Sequence, residues 1–453
     1  MIHRTVKEWD YLPIESSSAG PKAFTRPFAD RLLRVARCAR LGGDDEERIL
    51  VDRSSKLRAQ QVVGVLVAKG VTLEILPKIE GADDDQATRR SLIHMLAKVL
   101  DLDIATGLTA TLGWQKENLL EILIRLFTDK LFLALRQGMP RKYVGVEDDV
   151  MALRGSLDVV RQFTLLAATP QKLACRYDEL SSNIALNQIM KAAIARLLAI
   201  STNVENQRRL AELSFVYDDV AAPQIRSLRW DQVLLDRTNV GWAELLRFAK
   251  MLLQDRYQST TIGVAEGFSL LFEMNKLFEE FVGRALKDAL RGTEFSVQLQ
   301  GPKRYALIDR KNGALRFATR PDVVVSRNGK PLLVVDTKWK RLKGAIEDPK
   351  RGVGQADVYQ MMAYAHVYDC DRLLLLYPHH RELTEEGGLV AAHLITNKLD
   401  SLIGIATVDL VKPETVGPAL KRMLLNEGGV FNLTPDGSQR LQLLATASKL
   451  VAG

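Results

Sequence analysis

The 453-residue sequence lacks the features of a membrane protein, a disulfide scaffold or a P-loop NTPase. Its three cysteines, Cys38, Cys175 and Cys370, are too far apart in the chain for a disulfide framework or a zinc quartet. No apolar run approaches the ~18 residues of a membrane-spanning helix, and the first residues do not have a secretory leader pattern. A Gly-x4-Gly-Lys-Ser/Thr loop is also absent. We therefore expect a cytoplasmic protein with no membrane segment, with reduced thiols and without a P-loop of its own.

The charged residues are distributed unevenly along the chain. The whole sequence carries a net charge of +8, from 63 Lys and Arg against 55 Asp and Glu. Residues 303–351 alone contain 14 Lys or Arg and 5 Asp or Glu, so this segment accounts for the excess of positive charge. A focused basic segment is typical of proteins that bind a polyanion such as nucleic acid, although a solvated surface rich in Lys and Arg gives the same pattern.

The pattern of apolar residues predicts a multidomain α/β protein. We expect a β-rich and partly helical N-terminal region at 1–150, which would engage a partner or DNA, and a mostly helical region at 151–260. Residues 61–70 and 71–78 are expected to form two strands around a Lys-Gly turn, and residues 263–290 an amphipathic helix. From residue 294 onward strands predominate, so residues 261–453 are expected to form a domain with a mixed central sheet flanked by helices.

Residues 320–340 contain the residues that best indicate chemistry. Two apolar runs meet at an Asn-Gly turn, one beginning after Asp322 and the other ending at Asp336. Alternation along a strand places Asp336 and Lys338 on one side, and Trp339 on the other side toward the core. A carboxylate at the end of a buried apolar run requires a cation, a metal or good hydrogen-bond donors. A divalent cation held by Asp322 and Asp336 beside Lys338 would meet this requirement, whereas an ordinary strand-end acid paired with Lys338 or Lys340 is the simpler alternative.

The register of this hairpin sets a condition on the paired carboxylates. A two-residue turn at Asn328-Gly329 would pair Asp322 with Val335, which places Asp322 and Asp336 on opposite faces of the sheet. A shared site therefore requires a loop of odd length or a β-bulge, and we predict such an irregularity.

Two helices contribute further candidate residues. At about 100° per residue, Glu279 lies near the edge of an apolar stripe, while Glu280 lies more nearly opposite it. Glu279 is therefore the better candidate for an inward carboxylate. Gln360 and Tyr364 form a Gln-x3-Tyr pair on the later helix, although such polar-aromatic pairs are common on helices of any function.

The motifs Pro321-Asp322 and Asp336-x-Lys338 resemble the two halves of the PD-(D/E)xK nuclease motif, and the Gln-x3-Tyr helix resembles that of RecB-like nucleases. Together with residues 73–79, 153–157, 178–180 and 274–279, they resemble the McrC family, the nuclease subunits of McrBC-type modification-dependent restriction systems. The resemblance covers roughly residues 50–380.

The resemblance implies a Mg²⁺-dependent DNA endonuclease of a restriction system for antiviral defence, in which Mn²⁺ may substitute for Mg²⁺. Its implied partner is McrB, an AAA+ GTPase that it stimulates. The implied site consists of Asp322 and Asp336 as metal ligands, Glu279 as an additional acid of the metal shell, Lys338 as the residue that orients water or stabilises the transition state, and Gln360 as an accessory residue.

Two other functions remain open on the sequence. The chain could be a stand-alone restriction or repair nuclease that selects DNA through residues 1–260, or a non-catalytic activator of a partner NTPase. The presence of all three core residues argues against the second alternative. The roles of residues 1–50 and 381–453 are left open.

Overall fold

The structure is a computed structural model that describes residues 1–15, 23–39, 49–82, 84–102, 117–169, 171–253, 267–342, 353–383, 386–396, 398–425, 431 and 433. The chain groups into two compact units. One consists mainly of residues 117–270, and the other combines residues 2–37 and 41–116 with residues 271–453. The compact units have boundaries near residues 117 and 270 and do not test the functional regions predicted from the sequence. Those regions, 1–150, 151–260 and 261–453, remain predictions.

The N-terminal segment is rich in strands. In order, it contains β1 (Ile2–Lys7), β2 (Tyr11–Pro13), α1 (Arg26–Cys38), β3 (Leu50–Asp52), β4 (Lys56–Ala59), β5 (Val62–Ala68), β6 (Val71–Leu76) and α2 (Asp85–Leu100). The predicted pair of strands is confirmed, because β5 and β6 are antiparallel around Gly70, whose φ of 81° suits glycine. Strand β1 runs parallel to β6, so the first residues of the chain extend this sheet.

The middle unit combines helices with a small sheet. It contains α3 (Leu119–Arg136), β7 (Lys142–Val150), β8 (Ser156–Leu157), α4 (Val159–Thr164), β9 (Leu173–Ser181), α5 (Ala185–Ile200), α6 (Val204–Val216) and α7 (Ala243–Leu253). Strands β7, β9 and β8 form an antiparallel sheet in that order. Gly155 precedes β8 with a φ of 67°, and a Cβ at this position would lie 2.3 Å from the carbonyl oxygen of Arg176. Only glycine therefore fits at this position of the 153–157 motif.

The C-terminal segment contains the largest sheet. Its elements are β10 (Gly267–Glu273), α8 (Met274–Ala289), β11 (Ser296–Leu299), β12 (Arg304–Ile308), β13 (Leu315–Thr319), β14 (Val323–Arg327), β15 (Lys330–Thr337), α9 (Gln355–Val367), β16 (Arg372–Pro378), β17 (Leu389–Ile395), β18 (Lys398–Val408) and α10 (Val416–Leu425). The six-stranded sheet has the order β11-β14-β15-β16-β18-β17, with β15, β16 and β18 parallel and the other pairs antiparallel. The predicted mixed α/β fold is confirmed.

The prediction of a single helix over residues 263–290 is wrong. Residues 267–273 form strand β10, and α8 begins only at Met274, while residues 263–266 lie outside the described residues. Five consecutive residues, 268–272, are buried in β10. A buried segment of this length, apolar except for Ser269, fits a strand covered on both faces, but its periodicity is indistinguishable from that of a buried helix.

One face of the large sheet packs against α9. Because side chains alternate, Val324 and Val334 point to this face, where they join a buried cluster with Met361 and Tyr364 of α9. Helix α8 packs against the other face, since Gly283 of α8 lies against Val323 and Leu299. The ends of β14 and β15 are therefore framed by α9 on one side and by α8 on the other.

Candidate functional site

The turn between β14 and β15 has two central residues, Asn328 and Gly329. Asn328 and Gly329 have φ values of 52° and 78°, and Arg327 pairs with Lys330 across the turn. Positive φ at both central positions is the conformation that Asn-Gly favours in tight hairpins. If the ladder continued from this turn without interruption, the two aspartates would point to opposite faces of the sheet.

A β-bulge corrects the register, as predicted. Ser326 pairs with Pro331, but the preceding Val325 pairs with Leu333, which leaves Leu332 as the extra residue on β15. Proline has no backbone N–H to donate to the ladder, so an interruption next to Pro331 loses little. The irregularity thus lies in the strand and not in the turn.

The bulge brings the two carboxylates together. Val323 pairs with Val335, so the next residues outward, Asp322 and Asp336, lie opposite each other. Counting by alternation from Val334, Asp336 points toward the α9 face of the sheet. The site is therefore at the end of two central strands, next to the helix that carries the Gln-x3-Tyr pair.

Asp336 is almost completely buried, with 1% of its surface exposed. The Nζ of Lys338 lies 2.7 Å from its Oδ2, which is an ion-pair distance. Burial and the neighbouring Asp322 raise the pKa of Asp336 to about 6, against the opposing effect of the Lys338 ammonium. Buried carboxylate oxygens are hard ligands of the kind that divalent cations prefer.

Asp322 is tethered to the end of β15. Its Oδ2 accepts hydrogen bonds from the backbone N and the Oγ1 of Thr337, both at 2.7 Å. Burial nevertheless raises the pKa of Asp322, because these two bonds and Lys338 only partly offset desolvation. Two carboxyl groups with raised pKa values on adjacent strands, one half-buried and one buried, form a donor set that fits Mg²⁺ or Mn²⁺.

Lys338 connects the strands to α9. Its Nζ donates to Oε1 of Gln360 at 3.0 Å, and Nε2 of Gln360 donates to the hydroxyl of Tyr364 at 2.7 Å. The Tyr364 hydroxyl in turn lies 3.3 Å from the carbonyl oxygen of Arg320, two residues before Asp322. The structure thus brings Gln360 to the predicted position, where it fixes Lys338 and, through Tyr364, the backbone that leads into Asp322.

Asp357 also belongs to this network, although it was not among the predicted site residues. It lies in the first turn of α9, is 6% exposed, and contacts Nζ of Lys340 at 3.3 Å and Nζ of Lys338 at 3.9 Å. The sequence did contain a signal, because Asp357 precedes Gln360 by three residues and so shares its helix face.

Glu279 lies on α8, the helix against the opposite face of the sheet. Burial, followed by repulsion from Asp322, raises the pKa of Glu279 to about 7, while a hydrogen bond with Gln300 opposes the shift. Glu279 therefore lies within the electrostatic reach of the paired aspartates. Within the described ranges, however, no three His, Cys, Asp or Glu side chains converge as a metal site, so its role as a ligand stays a prediction.

Glu8, in the turn after β1, contacts Trp339 in the segment that follows β15. Oε1 of Glu8 accepts hydrogen bonds from Nε1 of Trp339 at 2.8 Å and from the backbone N of Lys78 at 2.9 Å. Glu8 is 1% exposed and Trp339 is buried, as predicted for the latter. No pattern in the sequence indicated this contact, because 331 residues separate its two partners.

Comparisons with known proteins agree on one family. The model of the McrBC 5-methylcytosine restriction system component family matches residues 57–378. The fold is similar to a chain in the refined half-complex from the tetradecameric assembly of Thermococcus gammatolerans McrB AAA+ hexamers with bound McrC, with a TM-score of 0.70 at 21% identity, covering 93% of this chain and 100% of the other. It is also similar to a chain in the cryo-EM structure of the T. gammatolerans McrBC complex, with a TM-score of 0.52 at 25% identity over 64% of this chain and 88% of the other. No curated protein matches.

Proposed function

The chain belongs to the family of McrBC 5-methylcytosine restriction system components, and on this basis we propose that it is a metal-dependent DNA endonuclease subunit of the McrC kind. In this proposal its C-terminal segment is a PD-(D/E)xK domain that hydrolyses phosphodiester bonds. Its partner is a McrB-like AAA+ GTPase, which it stimulates.

The observation that carries the proposal is the cross-strand pair of Asp322 and Asp336 with Lys338 beside it. A bulge at Leu332 is needed for this pairing, and the ion pair at 2.7 Å places Lys338 against Asp336. An ordinary surface acid would need neither the bulge nor the burial. The single Lys338 ammonium leaves the pKa values of both Asp322 and Asp336 raised, so a bound metal ion would stabilise the two carboxylates further.

The three residues divide the chemistry between them. Asp322 and Asp336 would hold Mg²⁺, with Mn²⁺ as a substitute, and Glu279 would add a third carboxylate. The bound ion supplies Lewis-acid chemistry, because it lowers the pKa of a water and offsets charge on the phosphate. Lys338 carries an ammonium whose pKa the acids around it raise against the effect of burial, so it acts as a positive charge that orients the water or stabilises the pentacovalent phosphate.

The middle unit offers a surface for the partner. The sheet β7-β9-β8 and helix α4 expose large apolar side chains, namely Tyr143, Val144, Met151, Leu153, Leu157, Val159, Val160, Phe163, Leu165 and Leu180. Clusters of this kind on soluble proteins usually mark a protein interface. This surface supports the expectation that residues before the nuclease segment engage the AAA+ protein, as McrC is bound to McrB hexamers in the T. gammatolerans assembly.

Reconstitution with the partner tests the proposal. The purified chain is mixed with a McrB-like GTPase, GTP, Mg²⁺ and cytosine-methylated DNA, and cleavage and GTP hydrolysis are measured for the wild type and for Asp336→Ala. We expect the wild type to cleave and both proteins to stimulate GTP hydrolysis. Stimulation by both without any cleavage would establish the non-catalytic activator instead, and cleavage by the chain alone the stand-alone nuclease.

A second pair of variants tests the partner surface. The double variant Phe163→Ser/Leu165→Ser should lose GTPase stimulation and keep metal binding. Val204→Ser/Phe215→Ser, on α6 of the same unit, removes side chains of similar exposure outside the cluster and should retain stimulation. Equal loss in both double variants would show that stimulation does not depend on the β7-β9-β8 surface.

A further inference from the structure

Strands β12 and β13 form a two-stranded ribbon that stands apart from the large sheet. They pair only with each other in the described structure, with Leu307 opposite Arg316 and Ile308 opposite Leu315. Side chains pointing to both faces are exposed, including Ile308 at 69% and Phe317 at 73%. An isolated ribbon is marginally stable in water, so such an element is normally completed by a binding partner.

The ribbon is strongly basic. Residues 303–320 contain six Lys or Arg and one acidic residue, Asp309. This acid lies 3.8 Å from Arg316, an exposed contact that neutralises little charge. Arg310 and Lys311 lie at the connection between the strands and are exposed. The tip is therefore a positively charged surface with apolar side chains among the cations.

The base of the ribbon is held firmly. Tyr368 is 1% exposed, and its hydroxyl lies 2.6 Å from the carbonyl oxygen of Pro302 and 3.0 Å from that of Thr319. Pro302 precedes β12 and Thr319 ends β13, so Tyr368 contacts both strands at the base. Nη1 of Arg304 donates to the carbonyl oxygen of Val367 at 3.0 Å. These contacts fix the direction in which the ribbon leaves the nuclease segment.

The ribbon also begins and ends at the candidate site. The backbone N of Gln300 donates to the carbonyl oxygen of Asp322 at 2.6 Å, and that of Gly301 to the carbonyl oxygen of Pro321 at 2.8 Å. The segment that leads into the ribbon is therefore hydrogen-bonded beside Asp322, and only Arg320 and Pro321 separate the end of β13 from Asp322. A molecule bound along the ribbon would be positioned relative to the carboxylate without any intervening flexible segment.

We propose that the β12–β13 ribbon is a duplex-DNA-binding arm that positions the phosphodiester backbone over the paired carboxylates, an inference that rests on the proposed nuclease function. The cations and apolar side chains of the ribbon beyond its base match the phosphates and the groove of a duplex, and a two-stranded ribbon fits the major groove. A second copy of this chain is the less favourable occupant, because a symmetric contact between ribbons would bring the two positive surfaces together.

Binding of a fluorescein-labelled duplex to the full chain, in the absence of divalent metal, tests the arm. The triple variant Arg310→Ala/Lys311→Ala/Arg316→Ala removes cations of the ribbon. The control Arg226→Ala/Arg229→Ala/Arg237→Ala removes three exposed arginines of the middle unit. We expect the ribbon variant to bind roughly 100-fold more weakly near 0.15 M salt, with the slope of log K against log salt smaller by about 2.7, and the control to bind like the wild type.

A second variant keeps the charges. Leu307→Ser/Ile308→Ser should weaken DNA binding with an unchanged salt slope, because it removes apolar contacts only. The arm is refuted if the wild type does not bind the duplex, if the ribbon triple variant binds as tightly as the control, or if the ribbon variants abolish a dimer while their DNA affinity stays at the wild-type value.

Calorimetry with Mn²⁺ separates this inference from the proposed function. If the wild type binds no Mn²⁺ but the ribbon variants lose DNA affinity, the DNA-binding arm is supported and the nuclease function is contradicted. If the wild type binds Mn²⁺ and cleaves DNA with its partner, but the ribbon variants bind DNA normally, the nuclease function is supported and the DNA-binding arm is contradicted.

Discussion

Lys338 and Lys340 lie two residues apart at the end of β15, and both contact Asp357, but only Lys338 reaches Asp336. The Lys338 side chain is 19% exposed and that of Lys340 is 61% exposed. A charge held in a partly buried position against the reacting phosphate contributes far more to the rate than a solvated one.

We therefore expect Lys338→Ala to lower partner-dependent DNA cleavage by about 100-fold or more, and Lys340→Ala to lower it by less than about fivefold. Single-turnover cleavage at saturating Mg²⁺ measures both variants, and circular dichroism checks that each is folded. Equal losses in the two variants would contradict the distinct role of Lys338.

The raised pKa values of the carboxyl groups predict how metal binding depends on pH. Asp336 has a pKa of about 6 and Glu279 of about 7 without metal, and both must lose their proton to bind a cation. Affinity for Mn²⁺ should therefore rise between pH 5 and 7, by up to about tenfold per pH unit for each proton released, and level off near pH 8.

The stability of the metal-free protein should change in the opposite direction. A carboxyl whose pKa is raised by folding favours the folded state below its unfolded pKa, and this contribution is lost as the pH rises through the folded value.

Calorimetry of Mn²⁺ binding at pH 6, in buffers of different ionisation enthalpy, measures the protons that the carboxyl groups release. Binding at pH 6 without proton release would show that these carboxyl groups are not the ligands.

Alternation along strands, a local pattern, led from the sequence to Asp322, Asp336 and Lys338. Gln360 was found through the resemblance of its helix to that of RecB-like nucleases. The contacts of Glu8 could not be found in this way. A carboxylate and an indole 331 residues apart meet only through tertiary folding, and nothing near Glu8 in the sequence marks it as buried.

Among the elements, the β14–β15 hairpin was the most predictable. The need for an irregularity followed from requiring both aspartates on one face, and its position could also have been found. Pro331 has no N–H to offer a neighbouring strand, so it marks the place where the ladder is interrupted. Strand β10 was mistaken for the start of a helix because its run of buried residues, apolar except for Ser269, has no clear period.

The turn after β1 supports the segment after β15, and this contact can be tested separately. Glu8→Ala removes the acceptor of the Trp339 and Lys78 N–H groups, and leaving buried donors unpaired costs about 1–3 kcal/mol of unfolding free energy. Glu8→Gln provides an amide oxygen that can accept the same hydrogen bonds and removes a carboxyl whose pKa burial raises, so at pH 8 it should be at least as stable as the wild type. Urea unfolding compares the three proteins, and identical stabilities for the alanine and glutamine variants would refute the supporting role.

On the scale of the whole molecule, the N-terminal strands belong to the same compact unit as the candidate site. The sequence predicted successive regions, since linear composition does not show that residues 2–37 and 41–116 pack with residues 271–453. The sequence left the role of residues 1–50 open. The structure gives part of this segment a structural role, because β1 extends the sheet next to β6 and the following turn contacts Trp339. None of the helices among the described residues is long and apolar enough to cross a membrane.

The proposed nuclease activity requires that the paired carboxylates bind a divalent cation. Calorimetric titration of the full chain with Mn²⁺ or Mg²⁺ at pH 8, for the wild type and Asp336→Ala, measures this directly and does not require the partner or DNA. We expect the wild type to bind and the folded variant to lose binding. Equal binding by both proteins, or binding by neither with DNA present, would contradict the metal site and favour a non-catalytic activator.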